Sequence, residues 1–350
     1  EMVPTFAKVA HMLKDIWVKA LNDEERKIDI IPYLSKATLD IIGIVGFNYQ
    51  FNSLTTANEL ATAYDIIFHP QNRGHLVIRQ LSHIFPIFRR LPTQRNLQLK
   101  EASRIIRKVS ANLVRDRLEE SKRGELQGKD LLSMLIKINE KEEEKMSFDE
   151  LQNQIMTFLA AGHETTSVAT GWALYYLSKD QESQELLRNE LVQEFPHQDF
   201  MPTFDQINNL KYLNAVVKET LRLVPPVPLV MRIADKDDII NGYVIPKGTL
   251  VIISPSTIHK LPSIWGEDVN DFKPSRWLSD SPFVIAPDMN MDSFSDMNSI
   301  DEKLITNYTW IPFITGARGC IGAKIALNEM KVLLAVLIRN FKFREVEGFE

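Results

Sequence analysis

A chain of 350 residues, 44% hydrophobic and 25% charged, holds enough apolar material for one large core or two smaller ones and lacks the composition of a disordered segment. A formal net charge of -5 argues against a protein built to neutralise nucleic-acid or anionic-membrane phosphates. One cysteine excludes an intrachain disulfide framework and any multi-thiolate zinc or iron-sulfur centre, so cysteine chemistry here rests on a single sulfur, in a compartment expected to be reducing.

In chain order, "EMVPTFAKVAHMLKDIW" has no initiator methionine, basic leader or continuous apolar stretch, and reads as a chain entered in mid-domain. "FAKVAHMLKDIWVKAL", "YLSKATLDIIGIVGF", "NLQLKEASRIIRKVSANLVRDRLEES" and "ELQNQIMTFLAAG" repeat apolar residues at intervals of three and four, which predicts one-faced helices. "SKRGELQGKD" around Gly124 is a polar connection, and "EKEEEKMS" around Glu143 a solvated helix end. The apolar run Ile155 to Leu177 is long enough to cross a bilayer, but His163, Glu164 and several hydroxyls at its centre make it a buried helix. Between Leu229 and Ser256, "LVMRIAD", "DIINGYVIPKG" and "LVIISPS" are short and β-branched, and predict a small sheet with a hairpin at Asn241-Gly242. Ser281 to Asn307 follows neither period and reads as a surface insertion. The fold class is mainly α with a minor β region.

The lone cysteine sits in "FITGARGCIGAKI", where Phe313, Gly316, Arg318, Cys320 and Gly322 form F-x-x-G-x-R-x-C-x-G ahead of a helix-forming run. Unsatisfied amides at a helix start favour a thiolate. Glycines at 316 and 322 permit close approach of a flat group over the sulfur, Phe313 can shield it, and Arg318 can meet a carboxylate on that group. A cysteine phosphatase loop, C-x5-R, would need arginine where Ala326 stands. The pattern therefore points to a thiolate bound to a metal centre.

These residues resemble the haem-binding loop of the cytochrome P-450 family of haem-thiolate monooxygenases. Three more motifs in the same order extend the resemblance over most of the chain: "AAGHETTS" from Ala160 resembles A-G-x-E-T, "ETLR" from Glu219 resembles E-x-x-R, and "FKPSRW" from Phe272 resembles F-x-P-x-R-W. The resemblance implies a cytochrome P-450 fold lacking its amino-terminal part, organised as one partial domain over 1–350. A helical body would span 1–225, a small β region and irregular segment 226–312, and the haem loop with its proximal helix 313–339. "TLDIIGIVGFNYQFNSL" is similar to fungal, endoplasmic-reticulum members.

By the same resemblance Cys320 is the ligand of haem iron, and Phe313, Gly316, Arg318, Gly322 and Arg232 surround the cofactor, with Ala161 and Gly162 letting it lie against the distal helix. Thr165, whose hydroxyl can compete for a helix carbonyl, and Glu164 beside it would handle dioxygen and its protons; His163 is left as structural. Glu219, Arg222 and Arg276 form a triad that locks the segment before Cys320. Prolines at 225, 226 and 228 force an extended strand, so that Pro228, Leu229 and Val230, together with Phe158, border an apolar substrate.

The implied reaction inserts one oxygen atom of O2 into an apolar organic substrate. No flavin or nicotinamide fingerprint occurs in the chain, so electrons are expected from NADPH through a separate cytochrome P-450 reductase docking near Cys320, with Lys324 as a contact. No nucleic-acid partner is expected. A missing amino-terminal portion would carry a W-x-x-x-R helix, early strands and the membrane anchor holding the full-length protein at the cytoplasmic face of the endoplasmic reticulum. A haem-thiolate isomerase or dehydratase, needing no external electrons, and a catalytically incompetent haem-binding fragment are the alternatives.

Overall fold

The computed structural model describes residues 2–22, 27–68, 92–278 and 308–346. The irregular segment Ser281 to Asn307 lies outside the described residues. The chain divides into two compact units, Glu1–Ser167 and Val168–Glu350.

The first unit contains α1 (Val3–Asn22), α2 (Ile30–Phe47), α3 (Glu59–Phe68), α4 (Gln94–Lys122), α5 (Leu131–Asn139) and the first part of α6 (Phe148–Lys179). Each long periodic run of the sequence is a helix. The core collects their apolar stripes: Leu39 and Phe47 of α2, Leu60 and Tyr64 of α3, Ile106 and Val114 of α4, Leu132 and Ile136 of α5, and Leu151, Ile155 and Leu159 of α6. Side-chain caps start the connecting helices, Thr93 accepting from the Asn96 amide and Asp130 from the Ser133 amide. Among the described helices α2 is the one long and apolar enough to cross a membrane by length and composition, and 56% of its window is buried. It also carries the buried Asp40, whose carboxylate accepts from the amide and hydroxyl of Ser53 at 2.8 and 2.7 Å and from the Leu54 amide at 3.1 Å. A satisfied internal carboxylate of this kind fits a core helix.

The second unit continues α6 and adds α7 (Gln181–Glu194), α8 (Phe204–Asn209), α9 (Lys211–Leu223), the short α10 (Pro255–Ile258) and α11 (Pro262–Trp265), and α12 (Ala323–Asn340). Asp180 separates α6 from α7 and caps the latter through the Ser183 amide. From Met330 to Ile338 every residue of α12 is buried, which marks it as the central helix, packed against α7, α8 and α9. The β region is two separate antiparallel pairs instead of one small sheet. β1 (Val230–Ile233) pairs with β4 (Leu250–Ile253), Val230 opposite Ile253, and β2 (Asp238–Ile240) pairs with β3 (Tyr243–Ile245). The expected hairpin turn is present, with Asn241 at φ 50 and Gly242 at φ 81, the left-handed pair a two-residue turn demands.

Candidate functional site

Glu219 and Arg222 lie on one face of α9 and are completely buried, both at 0% exposure, with Arg276 at 4%. Arg222 grips the carboxylate through two bonds, Nε to Oε2 at 2.8 Å and Nη2 to Oε1 at 2.9 Å. Oε1 also accepts the Lys273 amide at 3.0 Å and faces Nε of Arg276 at 3.5 Å, while Oε2 accepts the indole N–H of Trp277 at 2.9 Å. Further guanidinium contacts reach main chain, Arg222 to the carbonyls of His259, Val269 and Asp271 and Arg276 to those of Trp265 and Asp268, and Nη2 of Arg276 also lies 3.0 Å from the Asp268 carboxylate. Buried charge survives only when satisfied in this way. The triad read from sequence is therefore assembled, and its bonds hold α9 to His259, Val269, Asp271 and Lys273 and to Trp277 of the 3-10 turn Pro274–Trp277.

Sequence reading missed the groups that carry this rigidity onward. Trp265, Trp277 and Trp310 pack in succession, tilted and then edge to face with centroids 5.6 Å apart at each step, and the Trp310 indole donates to the Lys218 carbonyl of α9. His259, fully buried, places Nδ1 3.2 Å from the Arg222 carbonyl and accepts the Ile311 amide on Nε2 at 2.8 Å. Burial holds its pKa down at about 4, so the ring is neutral.

Ile311 leads into the cysteine loop. Ile314 is at φ 58, costly for a β-branched residue, and Gly316 is at φ 77, where glycine is at home. A 3-10 turn, Gly316–Arg318, follows, and the Cys320 amide returns to the Phe313 carbonyl at 2.8 Å. The helix start is displaced from the sequence expectation: α12 begins at Ala323 with Gly322 as its cap, so Cys320 precedes the first turn instead of opening it. Cys320 and Arg318 are exposed, Ile321 is 86% exposed and Phe313 is half-buried. A Cβ on Gly316 would meet open space, and one on Gly322 only the Cys320 sulfur at 3.9 Å. A sole thiol thus stands on a constrained loop beside an exposed cation, with no side chain over it from the glycines on either side. That donor set fits a flat, carboxylate-bearing group bound through sulfur.

In the first unit, the buried face of α6 carries Leu151, Ile155, Leu159 and His163, while Ala161 is exposed and Phe158 and Thr165 are half-buried on the open side. The Thr165 hydroxyl donates to the Ala161 carbonyl at 2.8 Å. Thr166 does the same to Gly162, Ser167 to Glu164, and Thr38 of α2 to His163, so four consecutive carbonyls each accept a hydroxyl. Such competition loosens a helix locally. Gly162 is half-buried, and a Cβ there would lie 2.8 Å from Ile42 of α2, so its smallness serves helix packing. His163 is locked by Nδ1 at 2.7 Å from the Leu159 carbonyl and packs on Tyr64 at 4.7 Å, a structural role.

Pro228 and Leu229 are exposed and Val230 half-buried at the start of β1, where Arg232 is exposed with Nη1 on its neighbour's carbonyl, Met231.

The family model for cytochrome P450 matches residues 1–349. The chain belongs to the cytochrome P450 family. It is 36% identical over 98% of its length to cytochrome P450 monooxygenase 128 of Postia placenta, covering 65% of that protein. It is 35% identical over 92% of its length to cytochrome P450 monooxygenase FUM15 of Gibberella moniliformis, covering 59% of it, and 32% identical over 98% to claQ of Ampulloclitocybe clavipes, covering 65%. The chain thus spans less than two thirds of the length of these fungal relatives.

Proposed function

We propose that the protein to which this chain belongs is a haem-thiolate monooxygenase inserting one oxygen atom of O2 into an apolar organic substrate, with electrons delivered from NADPH by a separate reductase. The observation that carries the reading is Cys320, an exposed lone thiol on a loop tied to the Phe313 carbonyl and placed beside Arg318. Haem bound there supplies oxygen activation, with the sulfur's electron donation favouring O–O cleavage.

The chain's own residues supply the rest. Cys320 ligates, Phe313 shields the sulfur, Arg318 and Arg232 meet the cofactor's carboxylates, and the glycines at 316 and 322 leave room beside the thiol. On α6, Thr165 has committed its proton to the Ala161 carbonyl, so its free lone pairs act as a hydrogen-bond acceptor on the open side. Glu164, a carboxylate next to it, is suited to carry protons between water and that acceptor. Phe158, Pro228, Leu229 and Val230 offer the apolar contacts for substrate. The endoplasmic-reticulum placement and a docking role for Lys324 belong to the same reading.

The test is reconstitution of the full-length protein with haem, a cytochrome P-450 reductase and NADPH under 18O2. Incorporation of one labelled atom per product, dependent on NADPH, is expected. Turnover without electrons, or oxygen derived from water, would overturn the proposal.

A further inference from the structure

A continuous set of bonds runs from the buried triad to the cysteine. The Arg222 side chain is held by Glu219, and its main-chain carbonyl lies 3.2 Å from Nδ1 of His259. A carbonyl can only accept, so Nδ1 carries the proton and Nε2 the lone pair. Nε2 faces the Ile311 amide at 2.8 Å, and that amide can only donate. Both ring nitrogens are thereby satisfied in one tautomer, within a fully buried ring. From Ile311 the chain passes through the strained Ile314 and returns to bond Cys320 to the Phe313 carbonyl at 2.8 Å. The main chain from Trp310 to Phe313 has its other fixed point at Trp310, whose indole binds the Lys218 carbonyl.

We infer that His259 is the positioning residue of the thiolate ligand, transmitting the fixed geometry of α9 through Ile311 to the loop that aims Cys320. This inference rests on the haem-thiolate reading above. His259 bonds both α9 and the segment entering the cysteine loop through a single ring. A loop holding a left-handed isoleucine stores strain, so loss of its anchor lets it relax and moves the sulfur.

The two bonds can be separated because one amide side chain reproduces only one of them. His259→Gln places a carbonyl oxygen near the position of Nε2 and keeps an acceptor for Ile311, whereas His259→Asn places an amide near Nδ1 and keeps only the bond to Arg222. The experiment uses haem-loaded full-length protein and reads three quantities: haem content with melting temperature, the red-shifted absorption band of the reduced carbon-monoxide complex, and hydrogen exchange of the Ile311 and Cys320 amides. The Gln variant is expected to keep the band. The Asn variant is expected to lose most of it to the unshifted form, and to exchange the Ile311 amide roughly tenfold faster, as an unpaired buried donor should. A purely structural histidine would make the two variants fail alike, with haem content falling in step with the band; that outcome, or an Asn variant with the full band, overturns the inference. A wild-type protein without the band would instead remove the haem-thiolate reading itself, and the exchange rates would still report on the Ile311 anchor.

Discussion

The hydroxyl of Thr38 in α2 donates to the main-chain carbonyl of His163 in α6 at 2.9 Å, the shortest of the three carbonyl contacts it makes. This bond fixes α2 against the turn of α6 that carries Glu164 and Thr165. Thr38→Val keeps the shape and removes the donor, at an expected cost of about 1 kcal/mol. Calorimetry should show a drop of a few degrees in melting temperature, and an unchanged melting point would mean the contact contributes nothing.

The Thr165 hydroxyl, bonded to Ala161, is expected to act after substrate has bound. Thr165→Ala in the full-length protein should bind substrate and consume NADPH while releasing more peroxide and less product. Equal ratios of product to NADPH in variant and wild type would remove Thr165 from proton handling.

Glu219 balances two buried guanidiniums. Glu219→Ala leaves Arg222 without a carboxylate and Arg276 with only that of Asp268, 3.0 Å from its Nη2, an expected loss of about 3–5 kcal/mol, a large share of ordinary domain stability. Recovery of soluble, haem-loaded protein should collapse; normal yield and melting would contradict the clamp.

His259 and Glu329 predict opposite pH slopes. Burial lowers the His259 pKa from 6.5 to about 4, so the unfolded chain takes up a proton that the folded one refuses as pH falls. Its stabilising contribution is complete above pH 6.5 and declines toward pH 4, by about 3 kcal/mol in total. Glu329 in α12 is fully buried, with one carboxyl oxygen lacking a partner among the described residues, and burial raises its pKa well above 4.5. Above pH 4.5 the unfolded carboxyl ionises while the folded one stays protonated, so its penalty grows with pH. Glu329→Gln should therefore raise the melting temperature relative to wild type by an amount that increases from pH 4.5 upward. A constant difference across that range would mean that Glu329 ionises alike in the folded and unfolded chains, contradicting the shift.

The helices and the turn were legible because their signals are local: α1, α2 and α4 follow the 3.6-residue period, and Asn241-Gly242 carries its backbone requirement in its own residue types. The triad was legible from spacing, since Glu219 and Arg222 share a helix face and the motif supplied Arg276. His259, by contrast, joins Arg222 to Ile311 across long stretches of chain, and nothing beside it in the sequence marks either partner. The packing of Trp265 and Trp310 on the motif residue Trp277 escaped for the same reason. The contact of Gly162 with Ile42 was not legible, because a small residue in a motif reads the same whether it makes room for a ligand or for a neighbouring helix. The separation of the strands into two pairs depends on which edges meet, and alternation alone does not encode that.

The most direct test of the account is the absorption spectrum of the reduced carbon-monoxide complex, recorded for full-length wild type and Cys320→Ser at matched haem content. Thiolate ligation by Cys320 predicts the red-shifted band in the wild type and its loss in the serine variant, because an alcohol is a poor substitute for the sulfur donor. The same band in both proteins would contradict the assignment of Cys320 as the iron ligand.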